Sequence, residues 1–147
     1  MAASIYIIED QRIMLQTLET ILATQDGLSV AGTAQDAETA MDAIPTLPVD
    51  IALVDVTLPK LNGIDLVRRL REQLPDLECL MLSGRTESEY VQRAQQVGAA
   101  GFVLKGDPAE VIEAIRSVLD GKTYVTARLK SAWETSPSGT SPNGAES

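Results

Sequence analysis

Five short, mostly apolar runs divide the chain, and between them apolar residues recur at helical spacing. The runs are Ser4-Ile5-Tyr6-Ile7-Ile8, Leu28 to Ala34, Ile51-Ala52-Leu53-Val54, Leu77 to Leu82, and Ala100 to Leu104. Apolar runs of this length predict strands buried on both faces, which is the habit of parallel sheets. The first intervening helix carries Met14, Leu18, Ile21 and Leu22 on one face, with Asp10 as its expected N-cap, and Gly27 stops it. A short second helix opens at Asp36, carries Ala37, Ala40, Met41 and Ile44, and ends at Pro45 and Pro48. The third follows Gly63 with Ile64, Leu66, Val67, Leu70 and Leu74, and Pro75 closes it. Thr86 and Glu89 have capping-box spacing for a fourth helix running to Gly98. Asp107, Pro108 and Glu110 supply an N-cap, a first-turn proline and a box acid for a fifth, which stops at Gly121. Five strands alternating with five helices predict an α/β fold, a parallel sheet with helices on both faces and right-handed crossovers.

Composition sets the limits. The 147 residues suffice for one domain with a real core, and the hydrophobic share of 44% with 22% charged is that of a globular chain. The formal charge of -9 disfavours attraction to nucleic acid or to an anionic membrane. No apolar stretch is long enough to span a bilayer, and no secretory leader is evident, so a cytoplasmic protein is expected. Cys79 is the only cysteine, read as a small buried hydrophobe, and histidine is absent. Internal disulfides, thiolate or imidazole zinc sites and histidine-based catalysis are thereby excluded. From about Glu134 the pattern stops: of the last 14 residues, 10 are Ser, Thr, Pro or Gly, which predicts a disordered tail.

The chemistry gathers where the predicted strands end. In open α/β sheets the carboxyl ends of parallel strands converge on one crevice. There the chain places Glu9 and Asp10 after the first strand, Asp55 after the third, Ser83 after the fourth and Lys105 after the fifth. Three crowded carboxylates need a cation, and Mg²⁺ is suited to one or two carboxylates plus waters and phosphate oxygens. Aspartate is a known phosphoryl nucleophile, and phosphoryl transfer needs a metal and a cation around it. Taken singly, Glu9 and Asp10 read as helix-start acids, Asp55 as a turn residue, Ser83 as a cap and Lys105 as a surface lysine. Their coincidence at matching strand ends favours the phosphoryl reading.

Glu9-Asp10, Asp55 with Pro59 and Gly63 at fixed offsets, Ser83-Gly84 and the stretch Gly98 to Lys105 together resemble the receiver domain of bacterial two-component response regulators. The likeness covers residues 4 to 121. It implies a CheY-like, flavodoxin-like doubly wound sheet of five parallel strands, order 2-1-3-4-5, flanked by five helices. It implies Asp55 as phosphoacceptor, with Mg²⁺ held by Glu9, Asp10, Asp55 and the backbone carbonyl of Thr57. Lys105 is then the site lysine, Ser83 the switch hydroxyl and Phe102 the switch aromatic, packing inward behind Ser83 on phosphorylation. Gly84 stands where the family keeps a small residue for donor access, and Thr57 and Arg85 where it tunes phosphoryl lifetime. Lys105 is followed by Gly106, where many receivers carry proline.

The implied partners are a sensor histidine kinase or phosphotransfer protein, with a small acyl phosphate as an alternative donor. A homodimer is expected through either the helix 4–strand 5–helix 5 or the helix 1–helix 5 surface, with no direct nucleic-acid or membrane binding. Val118 to Val125 resembles the segment after receivers of the LuxR/NarL type, which leads to a helix-turn-helix domain. The expected organisation is a receiver over 1–122, an extension or linker start over 123–133 and the disordered tail over 134–147. Output is through a partner or a DNA-binding domain, and activity beyond self-phosphorylation and slow self-dephosphorylation is not expected. Two competing readings are a phosphorylation-independent adaptor of the same fold and a metal-dependent phosphatase with an aspartyl-phosphate intermediate. That phosphatase family keeps a second aspartate where Thr57 stands. A nucleotide-binding domain lacks a Gly-rich loop after the first strand. Trp133 is the sole tryptophan and does not neighbour Asp55 in sequence, so intrinsic fluorescence is expected to report phosphorylation poorly.

Overall fold

The computed structural model describes residues 2–84 and 88–134. Arg85, Thr86 and the Ser/Thr/Pro/Gly-rich tail from 135 onward lie outside them, so the Thr86–Glu89 capping box and the expected tail disorder do too. The strands are β1 (Ala3–Ile8), β2 (Leu28–Ala34), β3 (Ile51–Asp55), β4 (Glu78–Ser83), β5 (Gly101–Leu104) and β6 (Tyr124–Val125). The helices are α1 (Arg12–Ala23), α2 (Ala37–Ala43), α3 (Gly63–Gln73), α4 (Ser88–Gln96), α5 (Pro108–Leu119) and α6 (Lys130–Glu134). All neighbouring strands pair in parallel, in the order β2-β1-β3-β4-β5-β6.

The fold class is as expected, with one strand and one helix more than the periodicity suggested. β6 is only two residues long and α6 only five, below the length at which a hydrophobic period can be read. The extension expected over 123–133 therefore folds back onto the sheet edge, and Glu134 closes α6 rather than opening the tail.

Helices sit on both faces, as a sheet buried on both sides requires. On one face Ile5, Ile7, Ile51, Leu53, Leu80, Leu82 and Val103 meet Leu15, Leu18 and Leu22 of α1 and Val111, Ala114, Ile115 and Val118 of α5. On the other, Ile8, Ala52, Val54, Cys79, Met81 and Phe102 meet α2, α3 and α4, together with Val125 and Leu129. Cys79 is fully buried as expected, and burial pushes its thiol up to about 12.

Helix starts show where sequence signals competed. Asp36 accepts from Thr39 N at 2.7 Å and Asp107 from Ala109 N at 3.0 Å, so both cap as expected. The expected box acid Glu110 instead accepts from the Tyr124 hydroxyl at 2.9 Å. Asp10 is not the N-cap of α1: Gln11 holds that position, without a side-chain cap. Asn62, passed over in the sequence, caps α3 by accepting from Asp65 N at 3.0 Å. The buried stripe of α1 runs through Leu15, Leu18 and Leu22, with Met14 and Ile21 only half-buried at its flanks.

Candidate functional site

The parallel register sets the site. β1, β3, β4 and β5 all end on one side, and their pairing aligns Ile8 with Val54, Asp55 with Leu82, and Ser83 with Leu104. The residues just beyond those ends, Glu9, Asp55, Ser83 and Lys105, are accordingly all buried, while Asp10 lies at the rim. Carboxylate oxygens of Glu9, Asp10 and Asp55 lie within 4.8 Å of one another. Lys105 Nζ lies 2.8 Å from Glu9 Oε1 and donates to Asp55 Oδ2 at 3.1 Å. It thus bridges the two acids as their shared counter-charge. Glu9 Oε2 accepts from Gln11 N at 2.9 Å, and that contact replaces the cap expected of Asp10.

Asp55 is held by the turn it starts. Its Oδ1 accepts from Thr57 N at 3.0 Å and from Thr57 Oγ1 at 3.2 Å. Thr57, expected as a carbonyl ligand and at a lifetime-tuning position, thus also orients the carboxylate; Asp two residues before a hydroxyl is a turn signal the sequence did contain. The turn returns through Lys60, a non-glycine residue at φ 64°, to Gly63, whose N donates to Val56 O at 2.9 Å. A Cβ on Gly63 would stand 2.0 Å from Asp55 O, so α3 can start this close to the acid only with glycine there.

Charge explains the proton affinities. Burial is the largest influence on Glu9 and raises it to about 7, against lowering contacts from Lys105 and Gln11 N and a raising one from Asp55. Burial and the hydrogen-bonded Asp55 also raise Asp10. Burial acts to raise Asp55 too, but Asp10, Thr57 N and Lys105 outweigh it and hold the acid below its ordinary value. Burial acts to lower Lys105, and Glu9 and Asp55 more than reverse that. Once all three carboxylates are ionised, the single ammonium leaves two negative charges uncompensated, which is the charge of one divalent cation. The clustered carboxylates and their all-oxygen donor set fit Mg²⁺.

A pH dependence follows. Glu9 holds in the folded state a proton that the unfolded chain releases near 4.5, so the metal-free protein loses stability as pH rises from there to about 7. Asp55 has the opposite sign, and its contribution is lost only as pH falls below the ordinary carboxylate range. Mg²⁺ requires the deprotonated ligands. Thermal melts should show a larger Mg²⁺-induced rise in Tm at about pH 8 than at about pH 5. Equal rises at both would contradict the assignment of Glu9 to the ion.

Ser83 ends β4, buried, with its carbonyl accepting from Lys105 N at 2.9 Å. Phe102 is already fully buried in the core on the α4 side. The inward motion expected of it on phosphorylation is therefore not open from this conformation. Thr57 is exposed, as expected of its position. A Cβ on Gly84 or Gly106 would meet nothing within 4 Å, so neither is required by packing.

Residues 5–116 match the family model described as the response regulator receiver domain. The chain is 34% identical over 124 residues to the transcriptional regulatory protein MctR of Rhizobium johnstonii, covering 84% of this chain and 58% of that protein. It is 33% identical over 129 residues to the DNA-binding transcriptional activator DevR/DosR of Mycobacterium tuberculosis, covering 87% and 59%. It thus spans little more than half the length of these relatives. A LuxR-family response regulator from Aurantimonas superposes with TM-score 0.86 at 27% identity, over 91% of this chain and 96% of that one. The isolated receiver domain of RcsB from Salmonella enterica, at 20% identity and TM-score 0.82 over 90% and 99%, shares the fold. The buried acids, the lysine beside them and a match across most of the sheet agree: the chain belongs to the response regulator receiver domain family.

Proposed function

We propose that Asp55 is the phosphoacceptor of a two-component phosphorelay. The observation that carries this reading is a buried carboxylate with one oxygen on the Thr57 amide and hydroxyl, the other on Lys105, and two further acids beside it. An Asp55 oxygen attacks the phosphorus of a phosphohistidine on a sensor kinase or phosphotransfer protein, or of a small acyl phosphate. As the new O–P bond forms, the donor's N–P or O–P bond breaks and its electron pair leaves with the donor. Lys105 neutralises charge on the transferring oxygens, and Ser83 donates a hydrogen bond to one of them. Glu9, Asp10, Asp55 and the Thr57 carbonyl would hold Mg²⁺, which would supply charge neutralisation at the phosphoryl group.

The phosphoryl group adds roughly -1.5 to -2 charge beside Lys105 and Ser83. Moving the receiver from 1:99 to 99:1 between two states takes about 5.5 kcal/mol of differential stabilisation. Relatives named as transcription regulators extend well beyond the matched region, which is 58% and 59% of their lengths, and this supports a switch controlling a DNA-binding output. In the present conformation α6 packs on α4 and β6 on β5, so a homodimer would form through the α1–α5 face. Activity beyond taking up and slowly losing the phosphoryl group is not part of this function. Thr57, in place of a second aspartate, weighs against a dedicated phosphatase.

Trifluoroberyllate, a tetrahedral stand-in for the phosphoryl group, tests the site. With Mg²⁺ it should stabilise the protein by about 2.7 kcal/mol at a hundredfold excess over Kd. Neither component alone should match this, and Asp55→Asn should abolish it. Stabilisation that persists in Asp55→Asn would remove Asp55 from the role.

A further inference from the structure

The segment after α5 is fastened to the strand that carries the site lysine. Tyr124 and Val125 pair in parallel with Gly101 and Phe102. Thr126 N donates to Phe102 O at 3.0 Å, and the Thr126 hydroxyl accepts from Leu104 N at 3.1 Å. Leu104 is the residue before Lys105, so the last tie of the segment is one peptide away from the ammonium bridging Glu9 and Asp55. Beyond it, Val125 and Leu129 are buried in the same cluster as Phe102, Val91 and Ala94, and α6 lies on α4 with Trp133 half-buried against that cluster. Gly101 makes the pairing possible, since a Cβ there would stand 2.1 Å from Tyr124 O.

We propose that Tyr124–Glu134 is a strap whose docking on β5 and α4 is coupled to the phosphorylation of Asp55, so that phosphorylation releases it. The proposal rests on Asp55 being the phosphoacceptor. It supplies a moving part other than Phe102, whose ring is already fully buried and whose backbone pairs with Val125. Charge arriving on Asp55 redraws the contacts of Lys105 Nζ, now 2.8 Å from Glu9 and 3.1 Å from Asp55. The end of β5 follows its lysine, and Leu104 N is carried away from Thr126 Oγ1. The two-residue pairing is marginal by itself, so the strap is otherwise held by the Tyr124 hydroxyl on Glu110 at 2.9 Å, by buried Val125 and Leu129 and by α6 on α4, and release breaks these with it. Release bares the β5 edge and the α4 face, and an unpaired strand edge is a ready template for a partner. Coupling is reciprocal, so loosening the strap must favour phosphorylation.

Trp133 is the sole tryptophan and lies on the strap, so it reports release directly, contrary to the expectation from its distance in sequence from Asp55. Tryptophan emission and intact mass are followed together after adding Mg²⁺ and acetyl phosphate to the full chain. The proposal expects emission to shift red, and acrylamide quenching to rise, in step with the phosphoryl increment. Gly101→Ala should show the shifted emission before any phosphorylation and bind trifluoroberyllate with Mg²⁺ at least about fivefold more tightly. Thr126→Val, which removes the tie at Leu104 N without adding bulk, should act in the same direction and serves if Gly101→Ala melts without cooperativity. A phosphoryl increment with unchanged emission, or undocked variants that bind trifluoroberyllate no more tightly, overturns the strap and leaves the phosphoacceptor reading standing. No increment at all overturns both.

Discussion

Replacing Lys105 by methionine should slow phosphoryl transfer to Asp55 roughly 100-fold, the usual cost of removing one group that meets developing oxyanion charge. It should also destabilise the metal-free protein by about 3 kcal/mol near pH 8, because Glu9 and Asp55 are left buried without their counter-charge. The sign with pH is definite. Glu9 already takes its proton at about 7, and without the ammonium it takes it more readily still, so the loss shrinks as the solution is acidified. Mg²⁺ should return part of the stability at high pH and little of the rate, since it restores charge balance but not the lysine's contact. Denaturant unfolding at two pH values, with and without Mg²⁺, checks the first part, and time-resolved intact mass checks the second. A variant as stable as its parent at pH 8 would mean that the two short Lys105 contacts contribute nothing net.

Gly63→Ala should be the most damaging single-methyl change near the site, at about 3 kcal/mol. The added Cβ meets Asp55 O at 2.0 Å, Asp55 C at 2.8 Å and Val56 Cα at 2.9 Å, and all three are backbone atoms that no rotamer can move aside. Relief requires shifting the start of α3 or the end of β3, and the latter carries Asp55. Phosphorylation should therefore fall together with stability. Gly84→Ala is the control: its Cβ enters open space, and its stability should change by no more than about 0.5 kcal/mol. Equal effects in the two variants would show that the close approach at Gly63 is accommodated elsewhere.

What the sequence disclosed follows the strength of its signals. Ile51 to Asp55 is apolar throughout and then acidic, and only a doubly covered parallel strand uses such a pattern, so β3 and its terminal carboxylate were readable at once. Register in a parallel sheet then carries Glu9, Ser83 and Lys105 to the same side, which is why residues up to 96 positions apart could be grouped before their distances were known. Asp10 was misjudged as a cap because an acid before a helix has two readings. The choice was made by the neighbouring carboxylates, which no local pattern records. Asn62 was missed for the opposite reason: the glycine after it drew the eye, although Asn before an apolar period is a cap signal in its own right. β6 and α6 were invisible because Tyr124-Val125 is strand only by virtue of the bare β5 edge beside it. That Phe102 lies buried already could not be read either, because Val125 and Leu129 of its cluster come from that same unreadable segment.

The central claim is that Asp55 takes the phosphoryl group, and intact mass spectrometry of the full chain with Mg²⁺ and acetyl phosphate tests it most directly. One phosphoryl increment should appear on the wild-type chain, fail to form when the metal is chelated, and be absent from Asp55→Asn. An increment that survives Asp55→Asn, or a wild-type chain that never acquires one, would contradict it.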